Sequence, residues 1–305
     1  MEKVVILGTG IAGLTAAVYT ARADLSPLLI SGNEDGGQLM LTTDVENFPG
    51  FPEGVKGPDL IDLARKQAEK FGAKFKFGFV SAVKQIKGGF ELTLSKETIK
   101  TQSLIVATGA SARWLGLESE KKYKGRGVTT CATCDGAFFK DKEVIVIGGG
   151  DSAMEEALFL TKFASKITVI HKRDEFRASK IMQDKLLKNE KILVIWDTVV
   201  EEILGDGKFV TGVKIKNVKS GEVKNFSCQG VFLAIGHIPN TKFLQGLIDM
   251  DKLGYLKTDR FTKTNVQGIF AAGDVQDTRY RQAITAAGSG CKAAMEVEKF
   301  LAENE

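Results

Sequence analysis

The chain has 305 residues, enough for two domains with sizeable cores, and its 43% hydrophobic and 26% charged residues place it among ordinary globular proteins. A formal charge of +4, with no long Lys/Arg run, excludes a basic nucleic-acid tail. No apolar run approaches the ~18 residues that a membrane span requires.

In chain order, "VVILGTGIAGLTAAVYTARA" comes first: a β-branched run, then Gly8, Gly10 and Gly13, then an Ala-rich helical stretch. The N-terminus leads directly into this strand without a signal-type segment, which points to a cytoplasmic chain in which structural disulfides are not expected. A second strand in "PLLISGNEDGGQ" ends near Glu34, 21 residues after Gly13. "FELTLSKETIK" reads as antiparallel strand, with Gly88-Gly89 as a turn, and "LIVATGA" closes on Gly109. "TTCATCDGAFF" then sets Cys131 and Cys134 three apart, with Asp135 directly behind. "VIVIGGGDSAMEEALFLTKFA" repeats the opening pattern 140 residues on, with Gly148, Gly150 and Ala153. The strand "KITVIHKRDEFR" ends in His171, Lys172 and Arg173, with Arg177 one turn on. "FVTGVKIKNVKSGEVKNF" turns at Ser220-Gly221, and "VFLAIGHIPN" closes on Gly236. The tail holds an apolar strand, "GIFAAGD", and a helix that starts with small residues.

Both glycine turns sit between a strand and a helix, which is the context of a dinucleotide fingerprint. The first glycine permits the tight turn, the second lets backbone approach a pyrophosphate, and the third position must be small for helix and strand to pack. The helix N-terminus then offers unpaired N–H groups and partial positive charge to the phosphates. The chain therefore reads as two homologous α/β units. The tail strand returns to the first unit, so the second is an insertion: residues 1–112 and 242–305 form one domain, and 113–241 the other. Crossings are expected near 112–116 and 239–243. Glu34 suits ribose hydroxyls in unit one. In unit two, His171, Lys172, Arg173 and Arg177 gather where a 2′-phosphate would sit.

The cysteine pair has a two-residue spacer, which lets both sulfurs meet across a turn and form a reversible disulfide. A zinc site would need two further ligands; the only histidines are His171 and His237, and no second CxxC exists, so no metal is expected. Asp135 fits a proton donor and acceptor for a thiolate. Cys228 and Cys291 read as small core residues.

The chain resembles the low-molecular-weight, flavin-dependent thioredoxin reductases. The resemblance rests on "GTGIAGLTAAVY", "GGQL", "VENFPGFPEG", "ATGA", "CATCDG", "GGGDSAMEEA", "HKRDEFRA", "IGHIPN", "GIFAAGDV" and "RQAITAAGSGC", in that family's order along the whole chain. It implies two Rossmann-like domains, the second inserted in the first, with FAD in the first, NADPH in the second, and a homodimer. For FAD it implies Gly8, Gly10, Gly13, Glu34, Gly37, Gln38, Asn47, Ala107, Thr108, Gly109, Gly273, Asp274, Arg281, Gln282 and Ala283. For NADPH it implies Gly148, Gly150, Ser152, His171, Lys172, Arg173, Arg177, Ile235 and Gly236. Electrons would pass from NADPH through FAD to the Cys131–Cys134 disulfide and on to oxidised thioredoxin. In that scheme Cys134 faces the flavin and Cys131 attacks the partner, after the inserted unit rotates about the two crossings. Arg126, Phe138 and Phe139 are the expected docking residues, with at least one of the two rings exposed. Two related reductases fit less well: the peroxiredoxin-linked type carries an extra N-terminal thioredoxin-like module, and the ferredoxin-linked type has little use for "GGGDSA" with "HKRDEFR". A nucleotide-binding redox sensor, without turnover, is the non-enzyme alternative.

Overall fold

The β-branched runs form strands and the Ala-rich stretches form helices, as their side-chain periodicity requires. The computed structural model describes residues 1–32, 34–42, 44–95 and 97–304. Its helices, in chain order, are α1 (Ile11–Arg22), α2 (Gly57–Lys70), α3 (Glu118–Tyr123), α4 (Ala132–Asp135), α5 (Asp151–Leu160), α6 (Lys180–Leu187) and α7 (Ala283–Glu303). Among the described residues, no helix is long and apolar enough to cross a membrane.

The chain divides into two compact units: Met1–Ser111 with Ile238–Glu305, and Ala112–His237. It passes between them twice, along the strands Ala110–Ala112 and His237–Pro239, which pair as a two-stranded ribbon.

In unit one, Glu2–Leu7 pairs in parallel with Leu28–Ile30 on one side and with Thr98–Val106 on the other. Thr98–Val106 carries two partners along its far edge. Its first half pairs antiparallel with Gly89–Thr93, which continues to Ala82–Ile86. Its second half pairs in parallel with Ile269–Ala271, the strand that returns after the insertion. Unit two holds a five-stranded parallel sheet in the order Val128–Thr129, Gly230–Leu233, Glu143–Ile147, Lys166–Ile170, Ile192–Ile195. A three-stranded antiparallel sheet, Thr198–Gly205, Val210–Asn217 and Val223–Ser227, follows it in the chain. The runs buried on both faces, such as "VVIL" and "VIVI", are the central parallel strands.

The two units repeat in register. Val5 lies opposite Leu28, Leu104 lies opposite both Val5 and Ile269, and Val5 stands three residues before Gly8. In unit two Ile145 lies opposite Thr168, Val231 lies opposite both Ile145 and Val128, and Ile145 stands three residues before Gly148.

Small residues let α1 and α7 meet closely in the core of unit one. Ala12, Ala16, Ala293 and Ala294 are buried there. A Cβ at Gly290 would overlap the backbone carbonyl of Ala12, whereas one at Gly288 would meet nothing within 4 Å among the described residues. Gly290→Ala is therefore expected to destabilise unit one by about 1–3 kcal/mol, the usual cost of overpacking. Gly288→Ala should be neutral or stabilising by up to ~1 kcal/mol, through helix propensity. Thermal melts check this: the first variant should melt lower by about 2–4 °C per kcal/mol, and the second should not.

Candidate active site

The first turn is built from close backbone packing. A Cβ at Gly8 would overlap the carbonyl of Ala107, and one at Gly13 would overlap the carbonyl of Gly8. At Gly10 the nearest atom to such a Cβ is 4.0 Å away, so this face stays open. Gly10 also caps α1 with no side-chain hydrogen bond, leaving the N-terminal N–H groups available to a ligand. Of the remaining unit-one residues, some lie at this turn and others at the start of α7. Gly37 approaches the backbone of Gly10, and Gln38 Nε2 donates to Ala110 O at 3.0 Å, just past Ala107, Thr108 and Gly109. Asn47 Nδ2 donates to Gln282 Oε1 at 3.2 Å, which joins a distant loop to the start of α7 at Ala283. Gly273 packs against Ala12, and its N–H donates to Ser289 Oγ at 2.8 Å.

Two residues beyond those read from sequence shape this turn. Thr9 is buried; its hydroxyl donates to Asp35 Oδ1 at 2.7 Å and accepts from Gly36 N at 2.9 Å. Arg65 pairs with the same Asp35 oxygen, and Glu34 stands exposed next to it. The tertiary pairing of Asp35 had no sequence signal, because Arg65 lies on α2.

Arg281 is held tightly before α7. Its backbone is left-handed, at φ 49°, its N–H donates to Asp277 Oδ2 at 3.3 Å, and its Nη2 donates to Thr278 O at 2.8 Å. Its guanidinium lies over the ring of the buried Tyr255, 6.0 Å from the centroid. Burial and the Asp277 charge push the Asp274 carboxyl up to about 6, against the pull of Arg281.

Unit two repeats the turn. A Cβ at Gly148 would overlap the carbonyl of Ala234, next to Ile235 and Gly236. One at Gly150 would meet nothing within 4 Å among the described residues. Gly150 caps α5 without a side-chain hydrogen bond, with Asp151 and Ser152 in the first turn. These features fit a second dinucleotide phosphate. Arg177 N–H donates to Gly149 O at 2.7 Å, which brings the basic loop to this turn, and Lys172, Arg173 and Arg177 are all exposed.

His171 departs from the expected phosphate contact. It is 4% exposed, its ring fills the space where Gly149 lacks a side chain, and Phe176 and Trp196 pack around it. Burial, with the nearby Arg177 and Arg173 charges, holds the imidazole below its usual pKa, so it supports the turn without adding charge. A second difference follows from the sheet register. Glu34 lies six residues past Leu28, and Asp174 lies six past Thr168, so the counterpart of Glu34 is a carboxylate flanked by cations.

Cys131 and Cys134 form a disulfide, with Cα atoms 5.3 Å apart. Cys131 caps the single turn α4, and its Sγ accepts from Cys134 N–H at 3.2 Å and contacts Thr133 Oγ1 at 3.3 Å. Both contacts favour a thiolate at Cys131 once the bond is broken. Behind the turn, Thr129 donates its hydroxyl to Asp135 Oδ2 and accepts from Cys131 N–H at 3.2 Å. Burial pushes the Asp135 carboxyl above the ordinary range, and the Thr129 hydroxyl pulls it partly back. A carboxyl raised in this way beside a disulfide is suited to holding and returning a proton. Thr129 was missed in the sequence because a threonine two residues before a cysteine carries no pattern of its own.

Phe138 is 40% exposed and Arg126 is exposed, but Phe139 is 8% exposed and packs edge-on against Phe232. Phe139 is thus core and is withdrawn from the docking set: successive residues of a short helical turn cannot face one way. Cys228 is core, as expected, whereas Cys291 is only half-buried, because its face of α7 meets Tyr19 and Met295 and not the sheet.

Two dinucleotide-type turns in one chain, one unit bearing a CxxC disulfide beside a half-buried carboxyl, define a nicotinamide-linked disulfide oxidoreductase. The chain belongs to the pyridine nucleotide-disulphide oxidoreductase family, whose model matches residues 2–290. It is 55% identical over 303 residues to a thioredoxin reductase of Rickettsia conorii, covering 98% of each chain. It is 50% identical to one of Mycolicibacterium smegmatis, over all of this chain and 98% of that one. Among solved structures it matches thioredoxin reductases from Streptococcus pyogenes (TM-score 0.94, 42% identity) and Giardia duodenalis (TM-score 0.94, 44% identity), covering 98% of this chain and of each of theirs.

The cysteines are expected to differ sharply in reactivity. Burial pushes the Cys228 thiol up to about 12, so it stays protonated at pH 7 to ~9. Iodoacetamide should modify Cys131 and Cys134 only after reduction, and Cys228 only after unfolding. Peptide mapping that finds Cys228 alkylated in the native protein would contradict its burial.

Proposed function

We propose that the chain is a thioredoxin-disulfide reductase, in which electrons from NADPH pass by way of FAD to the Cys131–Cys134 disulfide and then to oxidised thioredoxin. The observation that carries this reading is the disulfide turn itself. Cys131 is held as a cap with two hydrogen-bonding neighbours, beside a half-buried Asp135, in the same unit as a dinucleotide turn flanked by Lys172, Arg173 and Arg177.

Unit one is the FAD domain in this reading and unit two the NADPH domain. FAD, when bound, supplies two-electron transfer between the nicotinamide and the disulfide. Gly8, Gly10 and Gly13 make room for its pyrophosphate at the uncapped start of α1, and Gly37, Gln38, Asn47, Thr108, Gly273 and Asp274 would supply further contacts to it. Arg281 is held before α7 by Asp277 and Thr278, with its guanidinium over the Tyr255 ring.

Reduction breaks the Cys131–Cys134 bond. The Cys131 thiolate attacks the partner disulfide, forming a mixed disulfide and releasing one partner sulfur, which takes a proton. Cys134 then attacks Cys131 Sγ, restores the internal disulfide and releases the second partner sulfur, which takes another proton. Asp135 stores and returns a proton during this exchange. The sum is NADPH, one proton and a disulfide giving NADP⁺ and two thiols.

The paired crossing strands serve as the hinge on which unit two turns between reduction and exchange. Arg126 and Phe138 form the docking surface for thioredoxin, with an aromatic ring and a guanidinium as its anchors. A cytoplasmic homodimer completes the reading, and sedimentation at twice the chain mass checks the assembly.

Steady-state kinetics test the proposal. The protein should reduce thioredoxin with NADPH in preference to NADH. Arg173→Glu with Arg177→Glu should raise the NADPH KM by about tenfold or more, since each lost charged contact costs on the order of 1 kcal/mol. Arg126→Ala with Phe138→Ala should raise the thioredoxin KM and leave a small chemical disulfide unaffected. Equal use of NADH by the unmodified protein, or no turnover of any thioredoxin, would refute the reading.

A further inference from the structure

Asp174 poses a problem for a 2′-phosphate site. By register it is the counterpart of Glu34, the place where a dinucleotide fold puts a carboxylate that accepts from ribose hydroxyls and repels a 2′-phosphate. Asp197 lies close by, since its N–H donates to Arg173 O at 3.1 Å. The segment 172–177 together with Asp197 carries three cations (Lys172, Arg173, Arg177) and three carboxylates (Asp174, Glu175, Asp197), so local charge alone does not favour an anion.

Lys219 resolves this balance. It sits at the turn between Val210–Asn217 and Val223–Ser227, and its Nζ lies 2.8 Å from Asp174 Oδ2 and 3.1 Å from Asp197 Oδ2. The turn is held in place by backbone hydrogen bonds. Val218 N–H donates to Asp197 O at 2.6 Å, which extends the Asp197–Arg173 link to a third segment. Asn217 Oδ1 accepts from both Lys219 N–H and Ser220 N–H, each at 2.9 Å. The ammonium beside it holds the Asp174 carboxyl below its usual range, so the pair is one of ionised partners.

We infer that Lys219 is a specificity-determining residue for the nicotinamide nucleotide: by occupying Asp174 and Asp197 it withdraws the carboxylate that would select an unphosphorylated ribose and leaves Lys172, Arg173 and Arg177 to a 2′-phosphate. This rests on the reading of that loop as the 2′-phosphate site. The Lys219 and Asp174 side chains are 61% and 67% exposed, and pairs of that kind contribute little to folding, so removing the lysine should leave the protein folded.

The test is binding of adenosine 2′,5′-bisphosphate and of 5′-AMP to the intact flavoprotein, by calorimetry at low salt. Neither probe reacts, so the readout is independent of turnover. The unmodified protein should prefer the 2′-phosphorylated probe. Lys219→Ala should lower that preference about three- to tenfold, and Lys219→Glu by more than ~10-fold, while Lys219→Arg should keep most of it. Adding Asp174→Asn to Lys219→Ala should restore much of the loss, a coupling that a general structural defect would not produce. If both Lys219→Ala and Lys219→Glu leave the preference intact while Arg173→Ala with Arg177→Ala abolishes it, the inference is overturned and the phosphate site stands. If the arginine variants also leave it intact, both fall.

Discussion

A backbone carbonyl pressed against a missing side chain is the constraint on which both units depend. Ala107 O occupies the space of a Cβ at Gly8, and Ala234 O does the same at Gly148. Each contact closes the central strand onto its parallel neighbour just where the chain turns into a helix. Because the first and third positions of each turn are filled by protein, the middle glycines, Gly10 and Gly150, are the ones left facing open space. The helix starts behind them present N–H groups with no side-chain cap. Nucleotide binding and strand packing are therefore two consequences of the same turn.

The register of the repeat places the redox chemistry. Ile269 and Val128 hold equivalent positions on the outer edge of the two parallel sheets. The residues that follow differ completely. After Ile269 the chain makes the Gly273–Asp274 turn, and after Val128 it makes the Cys131–Cys134 turn and Asp135. Each strand end thus delivers a half-buried carboxyl whose pKa is raised by desolvation. In one unit that carboxyl stands before α7, and in the other it stands beside a disulfide. Thr129, the last residue of its edge strand, binds both Asp135 and Cys131 N–H, so the sheet edge itself orients the acid relative to the sulfurs.

The sequence was most legible where covalent geometry leaves few options. Glycines at fixed spacing between a β-branched run and an Ala-rich run, and a CxxC with a following Asp, specify turns before any tertiary contact is known. The inserted second unit was legible because "GIFAAGD" is an apolar strand with no fingerprint after it. What stayed hidden was tertiary pairing of charges. Nothing local shows that Arg65 takes Asp35 or that Lys219 takes Asp174. The burial of His171 and of Phe139 was hidden for a related reason. Both residues face inward because a glycine (Gly149) or an aromatic ring (Phe232) offers space on that side, which residue type alone does not reveal.

The central claim is that the Cys131–Cys134 disulfide is the acceptor of the flavin's electrons. Thiol counting after anaerobic addition of NADPH to the flavoprotein tests it most directly. Two new thiols per chain should appear, mapped by alkylation to Cys131 and Cys134, and none should appear in Cys134→Ser. Bleaching of the flavin by NADPH with no new thiols in the unmodified protein would contradict the claim.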